Sequence, residues 1–144
     1  MKSRNSINRG ARLCHALLVG VGTLLAAPNV RNVECPKHSL ADAVAKADPG
    51  DTLLVTGVCH ERVVITTDRL IIDGQGTAVI DGGGPGGGEF SAAILIDGAQ
   101  GITVRGFTIR NSSNGILGQS NAAFKVQNTR LIPRRDFIAR KESV

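Results

Sequence analysis

Residues 102–116 read ITVRGFTIRNSSNGI. Apolar side chains alternate there with Thr and Arg, the pattern of a β-strand with one buried face, and the run then dissolves into Asn, Ser and Gly. No second alternating run follows within hairpin reach, so the strand's partner must lie elsewhere in the chain. Residues 124–131, FKVQNTRL, repeat the order of apolar and polar positions at an offset of 22 residues, with Phe107 falling on Thr129 and the small Gly106 on the polar Asn128 as the exceptions. Going backwards, RLIIDGQGTAVIDG at 69–82 has the same form, at an offset of 32 from Leu70 to Ile102, the excess residing in the insertion GGGPGGGEFS at 82–91.

Short aliphatic runs separated by Gly, Asn and Asp fill the chain from Thr52 onward: TLLVTG, RVVITT, RLIIDG, TAVIDG, AAILIDG, ITVRGFTIR and AFKVQNTRLI. A period near 22 with several short strands in each repeat and no helix is that of a solenoid, in which stacked coils lay equivalent strands side by side in parallel. A sandwich needs turn-linked antiparallel pairs, and Asn-Gly occurs once, at Asn114-Gly115. The expected fold is therefore all-β, a parallel β-solenoid of about three to four coils. Ile102-Thr103-Val104 should pair with Leu70-Ile71-Ile72 on one side and Phe124-Lys125-Val126 on the other.

One helix is expected, over residues 39–47. Ser39 caps it, Asp42 stands where a capping box prefers Glu or Gln, Leu40, Ala43, Val44 and Ala47 share a face, and Pro49-Gly50 stops it. A helix so short is marginal alone and must lay its apolar stripe on the strands.

Residues 1–27 hold Lys2, Arg4, Arg9 and Arg12 and no acid, followed by an apolar stretch from Ala16 to Ala27. That stretch is short of the roughly 20 residues a membrane span needs but suits a secretory signal peptide, so export to an extracellular or periplasmic space is expected, with no membrane attachment after its removal. The net charge of +5 invites a nucleic-acid reading. Nine of the 17 basic residues lie in the first 27 positions or after Thr129, however, and between them eight bases face ten acids. The middle also lacks aromatic stacking platforms, so nucleic acid is excluded as a partner. After the leader two cysteines remain, Cys35 and Cys59. In an exported chain they read as a disulfide closing a loop of about 25 residues, adding roughly 3 kcal/mol. A zinc site with His38 and His60 is disfavoured by the absence of a C-x-x-C pair.

The segment CPKHSLADAVAKADPGDTLLVTGVCHERVVITTDRLIIDGQGTAVIDGGG, together with ITVRGFTIRNSSNGI, resembles the start of a secreted right-handed parallel β-helix protein of the pectin-lyase-like superfamily. The resemblance covers residues 35 to about 131. It implies that the helix at 39–47 plugs the first coil and that any ligand lies along the outside of one sheet. Catalytic patterns of that superfamily are not matched: Asn128-Thr129 is followed by Arg130 rather than Asp, and in Arg130-Leu131-Ile132-Pro133-Arg134-Arg135 the Pro falls one position late for Arg-x-Pro-x-x-Arg.

Three acids stand before Gly in IDG, namely Asp73, Asp81 and Asp97. Each suits a strand end that bonds turn amides; a general acid and base pair, or a calcium clamp, is the sharper reading. Arg105, Arg110 and Lys125 point outward and suit a solvated face or the carboxylates of an acidic polysaccharide. Asn111 to Asn114 read as a turn. His60 suits a structural place at the edge of the first coil. No resident cofactor or metal is expected.

After Leu131 the pattern stops: residues 132–144, IPRRDFIARKESV, are basic and irregular, and Pro133 removes a ladder donor. The expectation is a solenoid truncated at its C-terminal end, with 124–131 exposing an apolar strand edge and a risk of edge-to-edge self-association. Two functions compete: a non-catalytic exported β-helix offering a polar sheet face to glycans or a protein, and the N-terminal part of a polysaccharide lyase, hydrolase or uronate epimerase.

Overall fold

The computed structural model describes residues 27–82 and 92–132. The expected leader at 1–27 (but for Ala27), most of the 82–91 insertion and the tail beyond Ile132 lie outside the described residues. The rest is a parallel β-solenoid of about four turns. In chain order it comprises β1 (Val30–Cys35), α1 (Leu40–Ala45), β2 (Thr52–Cys59), β3 (Val63–Ile65), β4 (Ile71–Asp81), β5 (Ala92–Asp97), β6 (Gln100–Arg110), β7 (Asn114–Gln119), β8 (Ala123–Gln127) and β9 (Arg130–Ile132). One sheet runs β1-β2-β4-β6-β8 with β9 also on β6; the other runs β3-β5-β7. Every pairing is parallel.

The register is the one the repeat predicts. Ile71 lies opposite Thr103 and Ile72 opposite Val104, while Ile102, Thr103 and Val104 lie opposite Phe124, Lys125 and Val126. The 82–91 insertion leaves this register intact. Two strands escaped the sequence reading. In β1, VRNVEC, polar residues separate the apolar ones and no alternating run stands out; in β7, NGILGQ, the leading Asn-Gly resembles a turn. The turn at Asn111 ends before Asn114, which starts β7 opposite Ala92. Gly115 there makes room for the last coil, since a Cβ at this position would stand 2.5 Å from Leu131 Cδ2.

Inward side chains stack in rows along the axis. Leu53, Ile72, Val104 and Val126 make one, Cys59, Ile80, Ile109 and Leu131 another, and Val63, Ile94 and Ile116 a third, on the second sheet. Phe107 is buried over Gly74, where a Cβ would meet its ring at 2.8 Å. The long strands of the first sheet bend at a corner marked by positive φ at Gly57, Gln75, Gly76, Gly106 and Asn128, and the ladder register slips there.

The helix forms where expected but is trimmed to Leu40–Ala45. Ser39 Oγ accepts from Asp42 N at 3.1 Å, and Leu40 and Val44 are buried against the first coils. Ala47 is buried just beyond the helix. Cys35 and Cys59 form a disulfide.

Candidate functional site

Period-2 alternation sends every second side chain of the first sheet outward, and the register lines these up across coils. One outward row runs Asn32, Leu54, Asp73, Arg105, Gln127; the next runs Thr52, Ile71, Thr103, Lys125. Beyond the corner come Val58, Val79, Thr108 and Arg130, then Asp81, Arg110 and Ile132. The face is mixed at its N-terminal end and basic at its C-terminal end, since residues 98–132 contain no Asp or Glu.

The structure brings acids and bases together across neighbouring coils. Arg105 approaches Asp73 Oδ2 with Nε at 2.9 Å and Nη2 at 2.8 Å, while Asp73 Oδ1 accepts the turn amide of Gln75 at 2.8 Å. Arg110 Nε donates to Asp81 Oδ2 at 3.1 Å, and Asn111 Nδ2 to Asp81 Oδ1 at 2.9 Å. His60 Nδ1 stands 3.8 Å from Asp81 Oδ2, and Arg62 Nε donates to Gly82 O at 3.4 Å. The offsets of the two Asp–Arg pairs are 32 and 29, so a search for one constant spacing misses both. Laying the coils on one another reveals them, because Asp73 follows Leu70 by the same three residues as Arg105 follows Ile102. Asp97 sits on the other sheet, ending β5 opposite Gln119. The three IDG acids therefore occupy separate places, and among the described residues they form no cluster of metal ligands.

A polar groove follows the corner. Asp73, Gln75, Gly76, Arg105, Gly106 and Asn128 line a hollow of about 320 Å³. Gln75 also borders a second hollow, of about 440 Å³, with Asn32, Glu34, His38, Leu54 and Thr56. Together they reach from the first coil to the last described one. Arg105, on the groove's wall, keeps 45% of its side chain exposed.

Two acids missed by sequence reading are structural. Glu61 accepts from Ser39 Oγ at 2.7 Å and from Leu40 N at 2.6 Å, so it, rather than Asp42, completes the cap of α1. Cys35, Cys59 and Glu61 bring three ligand-type atoms within 4.8 Å of one another, but the sulfurs are joined and the carboxylate is committed to the helix. Among the described residues Asp51 is the buried charged one. Its Oδ1 accepts from Asn29 N at 2.9 Å; its Oδ2 accepts from Asp48 N at 3.0 Å and meets Arg31 Nη2 at 3.0 Å. The Asn29 and Asp48 amides, helped by Arg31, hold its carboxyl below the ordinary value against the opposing effect of burial.

No protein-family model matches the chain, and no curated protein and no solved structure is significantly similar to it. The fold and the site define a disulfide-linked parallel β-solenoid with a polar groove along one corner. The pectin-lyase-like resemblance is met at the level of that fold.

Proposed function

We propose that this chain is an exported, non-catalytic binding solenoid whose corner groove and outer face take an acidic polysaccharide. The observation that carries the reading is the pair of hollows along the corner, which meet at Gln75, with the Arg105 side chain 45% exposed in the wall of one of them. An extended polymer suits a surface whose repeat runs along its own axis, and guanidinium donors suit uronate carboxylates. Lys125 lies one row away and Arg110 beyond the corner, continuing the positive face. The carboxylates of Asp73 and Asp81 are tied to arginines rather than to each other, which favours binding over acid–base catalysis. The disulfide supports an oxidising compartment.

Two substitutions of opposite sign test it, with polygalacturonate and an uncharged glucan as probes for the full chain. Arg105→Gln should weaken polygalacturonate binding about tenfold, the loss of one charge-assisted contact of roughly 1.5 kcal/mol. Asp73→Asn keeps the oxygen that accepts Gln75 N but removes the competing negative charge, and should strengthen binding. Equal affinity for charged and uncharged polymers, or no response to either substitution, would sink the proposal.

A further inference from the structure

The corner groove continues beyond the first coil. The hollow that Gln75 borders shares Asn32 and His38 with a third one, of about 380 Å³, set between β1 and α1, whose wall also holds Arg31, Lys37, Asp42 and Lys46. The cations in that wall are not equivalent. The Arg31 guanidinium is committed within the protein: Nη1 donates to Lys46 O at 2.9 Å, and Nη2 meets Asp51 Oδ2 at 3.0 Å. These contacts fix the backbone of residue 46 at the rim of the hollow. The Lys46 ammonium has no hydrogen bond or ion pair among the described residues, and Lys37, 70% exposed, has Glu34 Oε2 at the long distance of 3.9 Å. Two available ammonium groups therefore share the wall with one carboxylate, Asp42.

The outward row Asn32, Leu54, Asp73, Arg105 measures how far this hollow lies from the guanidinium at the other end of the groove. Asn32 stands three rungs from Arg105, and rungs about 4.8 Å apart make that about 14 Å. Between them the middle hollow offers Thr56 and Gln75 for sugar hydroxyls, Leu54 for a ring face, and the carboxylate of Glu34, which repels another acid. We infer that the groove has two stations for acidic groups, Arg105 at one end and Lys37 with Lys46 beside α1 at the other, and that its ligand is a uronate chain long enough to occupy both at once while presenting hydroxyls and ring faces to the middle hollow. This rests on the groove being a polysaccharide site, and adds which length and charge spacing it selects. A chain held at one station reaches the other intramolecularly, so the two contacts reinforce each other. A disaccharide is too short to do so.

Digalacturonate and an oligogalacturonate of about eight sugars, each titrated into the full chain and followed by backbone amide shifts in NMR, test this. The long oligomer should shift the amides of Arg105 and Lys46 with one common Kd. In the double variant Lys37→Gln and Lys46→Gln, both at exposed positions, its affinity read at Arg105 should fall at least tenfold. The affinity of digalacturonate read at the same amide should stay unchanged, which also shows that the variant is folded. If the double variant leaves the long oligomer's affinity at Arg105 unchanged while Arg105→Gln weakens it, the two-station inference is overturned and polysaccharide binding stands. If neither ligand shifts the Arg105 amide, polysaccharide binding at this groove falls, and the inference with it.

Discussion

At the scale of single residues, the corner glycines separate a steric requirement from a conformational preference. Gly57 has φ of +82°, and a Cβ there would stand 2.1 Å from the carbonyl oxygen of Cys35, its ladder partner in the coil below. Gly76 has φ of +75° and nothing within 4 Å of a Cβ. Gly76→Ala should therefore cost only the left-handed backbone, about 1–2 kcal/mol. Gly57→Ala must also push two rungs apart and should cost roughly 3 kcal/mol or more, comparable with the worst point mutants. Urea unfolding of the two variants checks the ranking, and equal losses would mean that the corner is soft. Asp51 adds a pH signature. Its folded-state pKa is lowered, so its contribution is present above the unfolded value and is lost as pH falls through the folded one. The stability gap between the protein and Asp51→Asn should be constant from pH 8 to 5 and should narrow below about pH 4. A gap that persists unchanged at pH 2.5 would show that the hydrogen bonds alone, without the charge, fix this loop.

At the scale of elements, the cap shows what sequence can and cannot disclose. Ser39, the apolar stripe and Pro49-Gly50 announce a helix, because capping and periodicity are local. The carboxylate that completes the cap comes from Glu61, 22 residues away, and only the closing of a coil brings it there. The Asn29 and Arg31 contacts of Asp51 and the Asp–Arg pairs were missed for the same reason: each is a contact across one turn of the solenoid, at a separation set by loop length. The register of β4, β6 and β8 was legible because inward rows must stay apolar in every coil, whereas the outward rows that carry the site obey no such rule. In a helix of six residues, removing the remote cap should matter. Glu61→Ala leaves the Leu40 amide and the Ser39 hydroxyl without their acceptor and should cost about 1–3 kcal/mol. Glu61→Gln, which keeps one oxygen acceptor, should recover part of it. If both substitutions are neutral by thermal melting, packing of Leu40 and Val44 holds the helix without the cap.

At the scale of the whole molecule, stability should have a direction. Each coil touches only its neighbours, so the free energy of the solenoid is close to a sum of coil and interface terms. One end carries a helix, a disulfide and dry inward rows, and the other exposes Phe124, Val126 and Leu131. Among the described residues β8 and β9 pair on one side only, so opening there breaks one described interface, while opening in the middle breaks two. Backbone amides of β8 and β9 should thus exchange with solvent at least tenfold faster than those of β2, β4 and the centre of β6, through fraying below the global unfolding free energy. Two truncations sharpen this. Ile72→Ala, in the buried middle of a row that ends at Val126, should cost about 2–5 kcal/mol and lower protection in every coil. Val126→Ala removes a side chain already 43% exposed, and should speed exchange in β8 and β9 while leaving β2 and β4 unchanged. Loss of protection throughout the molecule in Val126→Ala would show that the coils melt as one unit, and the directional account would fail.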